Sequence, residues 1–295
     1  MIDRTWALAP VPRSASSPYN QDVSRPTPQS LLIDLDGVLF HGDRALPGAA
    51  ELLARLADRP HVFLTNNPIR TPPEVADALA AMGLPRPAPE RILTSALATA
   101  RWLSHCKPGL RYFAVGAPGL DSALRAVGEP DAQRADVVVV GEGPGIDYER
   151  LVTGINLILG RGARLVVTNP DTTVDGIRDG QRVVLPGGGA LVAPFTLATG
   201  VTPTVVGKPE PLLYEMALQQ LGASAGRCLM IGDRPDTDIA GAARLGMWTA
   251  LVRTGRFPPG AAWDLDMPKP DFDVAGLSAL IKSLDRAFPA LLAHP

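Results

Sequence analysis

Two aspartates, Asp34 and Asp36, stand one residue apart, directly after the apolar run Leu31-Leu32-Ile33 and directly before Gly37. Such a run reads as a buried parallel strand, and ligands of open α/β sheets bind beyond the carboxyl ends of their strands. Two carboxylates so close repel each other, by about 1 kcal/mol at about 4 Å in water and about 4 kcal/mol in a partly buried site. A cation or a shared proton has to offset that repulsion, and Mg²⁺ suits oxygen ligands. Taken alone, Asp-x-Asp-Gly is more simply a turn after a strand.

Three further segments shift that balance. Thr65-Asn66-Asn67 follows Val62-Phe63-Leu64 and offers a hydroxyl and backbone N–H groups to a phosphoryl oxygen, although these residues also begin ordinary loops. Gly207-Lys208-Pro209 sets a lysine ahead of a helix, where it can neutralise phosphate charge and an attacking carboxylate; an isolated lysine there is usually a surface residue. Gly232-Asp233-Arg234-Pro235-Asp236-Thr237-Asp238 loads another strand end with acidic oxygens, without the glycine and terminal glutamate of a calcium loop. The 31 residues from Asp34 to Thr65 and the 25 from Lys208 to Asp233 each match one strand-to-strand crossover, which predicts all four segments on one sheet edge. The 143 residues from Thr65 to Lys208 are too many for one crossover and predict an insertion.

The elements that would position these groups alternate in period. Leu31 to Ile33, Val62 to Leu64, Cys228 to Ile231 and Trp248 to Val252 read as strands; Leu52, Leu53 and Leu56, then Val75, Leu79 and Met82, then Leu213, Met216, Ala217 and Leu221 mark helix faces. Between them lies a second strand-helix series: strands Tyr112 to Val115, Val137 to Val140 and Leu165 to Val167, and a helix with Leu151, Ile155, Ile158 and Leu159 on one face. The expected fold is a doubly wound parallel α/β core with an inserted α/β cap. Its expected parts are an unstructured leader over 1–29, a core over 30–84 and 200–295, and a cap over 85–199. The uncharged stretch Val183 to Gly207 is broken by Pro186, Pro194, Pro203 and Gly187-Gly188-Gly189, so it reads as a strand-loop-helix passage rather than a membrane span. A net charge of -2 argues against nucleic-acid or membrane partners. Cys106 and Cys228 are too few for a disulfide framework and suit a reducing compartment, the cytoplasm.

Asp-Leu-Asp-Gly, Thr-Asn-Asn, Gly-Lys-Pro and Gly-Asp-Arg-Pro-Asp-Thr-Asp, in this order, resemble the four motifs of the haloacid dehalogenase superfamily. The long insertion, with Val-Thr-Asn-Pro-Asp-Thr-Thr at 167–173 and Pro-Gly-Gly-Gly-Ala-Leu-Val at 186–192, looks like the nitrophenylphosphatase-like (NagD-like) subfamily. The resemblance implies a Mg²⁺-dependent phosphatase acting on a small phosphorylated metabolite, with pairing through the cap. Asp34 would attack phosphorus and carry it as an aspartyl-phosphate, while Asp36 protonates the leaving oxygen and then activates water. Thr65 and the Asn66 N–H would bind the phosphoryl group and Lys208 its charge. Asp34, Asp233 and the Asp36 carbonyl would hold Mg²⁺, with Asp238 supporting them. Asn169 and Asp171 are candidates for the leaving-group pocket, an Asx turn being the plainer alternative. The chain departs from the subfamily at Pro68, where a hydroxyl residue is usual, and at Gly187-Gly188-Gly189, where relatives carry a bulkier residue among glycines.

Other residues read as structural. His41, His61, His105 and His294 share no triad or ligand spacing, and Gly141-Glu142-Gly143-Pro144-Gly145 reads as a turn in the cap. Rival functions remain open from residues alone. A phospho-accepting signalling domain or a phosphotransferase on the same core would also use an acceptor Asp, a hydroxyl and a Lys. A nucleotide-binding oxidoreductase would need a glycine-rich turn where Asp34 and Asp36 stand.

Overall fold

A computed structural model describes residues 25–178 and 180–292. Six strands form one parallel sheet in the spatial order Phe272–Val274, Trp248–Val252, Cys228–Gly232, Ser30–Asp34, His61–Thr65, Ile92–Thr94. The central strands are buried along their whole length, which explains their unbroken apolar character. Alternate residues serve opposite layers. Leu32, Val62 and Met230 pack with Leu213 and Ala217 of the helix Pro211–Leu221, whereas Leu31, Phe63 and Ile231 pack with Leu52, Leu79 and Leu280 from three helices on the other face.

A second parallel sheet has the order Thr204–Val205, Arg164–Val167, Val137–Val140, Leu110–Val115, Gly128–Pro130. Helices Tyr148–Arg161 and Gly188–Thr199 cover one face, with Leu157, Ile158 and Phe195 against Val138, Val140 and Leu165. An antiparallel hairpin, Thr173–Arg178 with Gln181–Pro186, extends from this unit. The stretch from Val183 is thus the end of a strand, a glycine turn and a helix; among the described residues no helix is long and apolar enough to cross a membrane.

The expected boundaries need correction at three places. Ile92–Thr94, expected in the cap, pairs with His61–Thr65 in the first sheet, and Thr204–Val205, expected in the core, pairs with Arg164–Val167 in the second. Strands of two or three residues are too short to show a period. Residues 1–24 of the expected leader lie outside the described residues, but Arg25 to Gln29 are bound to the core: Arg25 pairs with Asp271 at 2.6 Å and stacks on Trp248, and the Gln29 N–H donates to the Arg227 carbonyl at 2.7 Å. Leu159, expected on a buried helix face, is 61% exposed, because the helix turns Leu157 inward beside the expected Ile158.

Candidate active site

Asp34 ends the central strand and Asp233 follows its neighbour Cys228–Gly232, so parallel pairing brings the two carboxylates together. Asp238 comes back toward them because residues Pro235–Ile239 form a single wide π-helical turn before the helix Ala240–Arg244. One carboxylate oxygen from each of Asp34, Asp233 and Asp238 lies within 4.8 Å of the others, and all three residues are buried. Lys208 Nζ donates to Asp34 Oδ1 and to Asp238 Oδ1, both at 2.6 Å.

Lys208 reaches this point by a route other than the expected one. It does not end a strand of the first sheet; it follows Thr204–Val205 of the second and precedes the helix Pro211–Leu221. The 25-residue interval to Asp233 is therefore a helix and a strand rather than a strand-to-strand crossover. Asn66 fixes the lysine: its Oδ1 accepts from the Lys208 N–H at 2.8 Å and its Nδ2 donates to the Lys208 carbonyl at 3.0 Å.

The charges are unbalanced. Burial is the largest influence on Asp34, and with Asp238 and Asp233 it raises the carboxyl well above its usual range, although Lys208 pulls the other way. Burial and Asp238 push Asp233 up to about 7, against the Arg256 N–H that donates to its Oδ2 at 2.9 Å. Burial alone would lower Lys208, but Asp238 and Asp34 outweigh it and raise the ammonium above its ordinary value. Three carboxylates face one lysine, and buried charges demand compensation. An all-oxygen, excess-negative cluster of this kind fits a divalent hard cation. Gly37 permits it: its φ is 77°, and a Cβ there would come within 2.6 Å of the Asp233 carboxyl carbon.

Above the cluster lies a cavity of about 110 Å³ whose wall includes Asp34, Asp36, Asn66, Lys208, Asp233 and Asp171. Asp36 is itself exposed and opens onto it; the protein packed around the site raises its carboxyl, with His41 the main opposing influence and Asp175 reinforcing the rise. Thr65 and Asn169 stand behind the wall. Thr65 Oγ1 accepts from the Asn67 N–H at 3.1 Å, and Asn169 Nδ2 donates to the Asn66 carbonyl at 2.8 Å. Asp171 is held at both oxygens, by Arg234 at 2.5 Å and by Asn66 Nδ2 at 2.9 Å. The expected Asx turn is also present, since the Asp171 N–H donates to Asn169 Oδ1 at 3.1 Å. The glycine triplet explains how the second sheet's loop closes here. A Cβ on Gly187, Gly188 or Gly189 would meet the carbonyl oxygens of Asp171, Asn169 or Pro170 at 2.1, 2.7 or 2.3 Å.

Sequence reasoning missed several wall residues, among them His41, Arg256 and Glu142. His41, read as structural, comes from the short hairpin Phe40–His41 with Arg44–Ala45; Arg256 arrives after Trp248–Val252 and grips Asp175 of the cap hairpin at 2.9 Å. Glu142, read as part of a turn, is 1% exposed and accepts from Asn169 Nδ2 at 2.9 Å; burial and Asp171 push it up to about 8. Its signal was legible by the rule that singled out Asp34, an acid just past the end of an apolar strand, Val137–Val140. The other histidines fit the earlier reading or fall outside it: His61 is buried at a strand start, His105 bonds the Arg101 carbonyl, and His294 lies outside the described residues. Cys106 and Cys228 are free thiols.

The chain is similar to known proteins in sequence and fold. The family model described as haloacid dehalogenase-like hydrolase matches residues 31–129, and a second, described as HAD-hydrolase-like, matches 205–280. The chain is 36% identical to the 5'-nucleotidase YutF of Bacillus subtilis, over 86% of this chain and 98% of that protein. It is 43% identical to the dihydroxyacetone phosphatase of Corynebacterium glutamicum, over 77% of this chain and 81% of that one. The solved structure of NagD from E. coli K-12 superposes with a TM-score of 0.76 at 31% identity, over 86% of this chain and 98% of that chain.

Proposed function

This chain belongs to the haloacid dehalogenase-like hydrolases, in their nitrophenylphosphatase-like (NagD-like) branch, and is a phosphomonoester hydrolase; from that premise we propose that it cleaves a small phosphate ester in two steps through Asp34, with Mg²⁺ as cofactor. In the first step an Asp34 oxygen forms a bond to phosphorus as the ester P–O bond breaks, and Asp36 passes its proton to the leaving oxygen. In the second, water attacks the phosphorus of the aspartyl-phosphate, Asp36 takes its proton, and inorganic phosphate leaves with Asp34 restored. The raised carboxyl of Asp36 suits it to hold the proton that the first step consumes.

Lys208 would pair with phosphoryl charge while it holds Asp34 Oδ1, leaving the other oxygen to attack. Thr65 and the Asn66 N–H would take phosphoryl oxygens, and Asn169 and Asp171 would shape the leaving-group side. Asp34, Asp233 and the Asp36 carbonyl would hold Mg²⁺, with Asp238 behind them, and the bound ion would supply the positive charge that keeps Asp34 ionised beside a phosphate. The observation that carries the reading is the bridge from Lys208 Nζ to both Asp34 and Asp238 inside a buried acidic cluster beneath a cavity.

The two relatives' names, a nucleotidase and a dihydroxyacetone phosphatase, favour a small hydroxylated ester over a macromolecular substrate. A cytoplasmic setting, supported by the two unpaired thiols, belongs to the same proposal. So does a homodimer through the cap, supported by Tyr148, Leu159 and Leu197, which stand 76%, 61% and 89% exposed on two cap helices. Light scattering behind a sizing column tests the dimer. For the chemistry, phosphate release from a panel of monoesters is measured with Mg²⁺ or chelator, for wild type and Asp34→Asn. Both perturbations are expected to abolish release, and acid quenching should trap a phosphoryl group on the peptide carrying Asp34. Undiminished turnover by Asp34→Asn sinks the covalent route, and silence of the folded wild type across the panel favours a phospho-accepting or phosphotransfer role.

A further inference from the structure

We propose that Glu142 selects the leaving group, its unpartnered carboxyl oxygen pairing with a hydroxyl of a small hydroxylated phosphate ester. The inference rests on the phosphatase reading above and adds a determinant of specificity contributed by the cap. Glu142 lies just past the strand Val137–Val140, lines the cavity and is 1% exposed. Its Oε1 accepts from Asn169 Nδ2 at 2.9 Å, whereas its Oε2 is buried without a hydrogen-bond partner.

A buried polar atom left unpaired costs about 1–3 kcal/mol, and native proteins rarely keep one without a use. The second such atom among the described residues, Trp102 Nε1, belongs to a residue outside the cavity wall. The neighbouring acids are already engaged: Asp171 by Arg234 and Asn66, and Asp175 by Arg256. That leaves Glu142 Oε2, among the described residues of the cap-side wall, as the buried side-chain oxygen without a partner. Its backbone is pinned, because Gly143 has a φ of 107° and a Cβ there would lie 2.6 Å from the Ala117 Cβ. The terminal torsion of a glutamate is soft, so turning the free oxygen toward a ligand costs little torsional energy.

An alcohol matches this oxygen in either protonation state, because a hydroxyl both donates and accepts. An alkyl or aryl leaving group without hydroxyls leaves Oε2 unpaired. A carboxylate on the leaving group would have to compete with Asp171 and Asp175 for Arg234 and Arg256. The chemistry thus points to a polyol or triose ester.

The test compares glycerol 3-phosphate with propyl phosphate, which lacks both hydroxyls, in wild type, Glu142→Gln and Glu142→Leu, with circular dichroism confirming the fold. Wild type is expected to favour glycerol 3-phosphate by about 5-fold or more in kcat/KM, as 1–3 kcal/mol of unpaired-group cost implies. Glu142→Leu should collapse that preference to within about threefold by losing activity on glycerol 3-phosphate alone. Glu142→Gln, whose amide still donates and accepts, should retain most of it. No preference in wild type overturns the proposal without needing any variant. Equal losses on both esters in Glu142→Leu also overturn it, since they would mark Glu142 as a prop for Asn169 and Asn66. Failure of wild type to hydrolyse either ester or p-nitrophenyl phosphate overturns the phosphatase reading and this inference with it, and is distinct from both.

Discussion

Replacing Lys208 with methionine keeps the volume of the side chain and removes its charge, leaving Asp34, Asp233 and Asp238 facing one another within 4.8 Å. Lys208 is 3% exposed, so water cannot take the ammonium's place. Each ionised pair at that separation repels by about 3–4 kcal/mol at an effective dielectric constant near 20, and breaking a buried ion pair by removing one partner typically costs about 3–5 kcal/mol. The carboxyls relieve part of the strain by binding protons. Raised carboxyls lose stability as the pH climbs through their folded values, and Asp34 and Asp233 rise further once Lys208 is gone, so the cost grows with pH. At pH 8 without metal the variant should therefore melt about 6–15 °C below wild type, at about 2–3 °C per kcal/mol for a chain of this size. A divalent cation that enters the cluster should restore more stability to the variant than to wild type, because binding to the folded state alone stabilises in proportion to its occupancy, and the variant's cluster is more negative by one charge. Calorimetric scans of both proteins at pH 8, with chelator or with millimolar Mg²⁺, measure the two shifts. Phosphate release by the variant should fall at least about 10³-fold even with the metal present, because positive charge on the transferring group is lost. A variant that melts with wild type under chelator, or gains no more than wild type from Mg²⁺, refutes the electrostatic account of the cluster.

Two further outcomes follow from other parts of the molecule. Gly37→Ala forces a Cβ into the Asp233 carboxyl from a left-handed backbone, so it should raise the Mg²⁺ concentration needed for half-maximal activity by about 10-fold, as misplacing a metal ligand's support does; unchanged metal dependence would show that Asp233 is not a ligand. His61 is held neutral, its value lowered to about 4 mainly by burial and then by Arg91, while the unfolded chain takes up a proton near 6.5. The unfolded state then binds more protons as pH falls from 6.5 to 4, so up to about 3 kcal/mol of stability is lost across that window. Urea unfolding at pH 7 and pH 4.5 should show a shallower pH slope for His61→Gln than for wild type, and parallel slopes would refute this.

The carboxyl-end rule and the spacing of apolar strands made the acidic half of the site legible. Asp34 and Asp233 stand where adjacent parallel strands end, and their meeting follows from a pairing that any reader of Leu31 to Ile33 and Cys228 to Ile231 would assume. Asp238 was legible as an acid but not as a partner of Lys208, because only the wide turn at Pro235–Ile239 brings it back. Lys208 was found by its neighbours in sequence and assigned the wrong route. Its strand belongs to the second sheet, and a two-residue strand carries no periodicity that would reveal which sheet it joins.

What the amino-acid order determines here is local: apolar strands buried on both faces, acids and a lysine at their ends, and an interval too long for one crossover. Which acids share a cavity is decided by contacts between distant segments. Glu142 sits 108 residues from Asp34, His41 stands on a hairpin with no periodic signal, and Arg256 reaches across to Asp175. Their roles depend on how the second sheet sits over the first, held by Asn66, Asn169, Asp171 and Arg234. Periodicity reports the face each element buries, and says nothing of which loop will close over it.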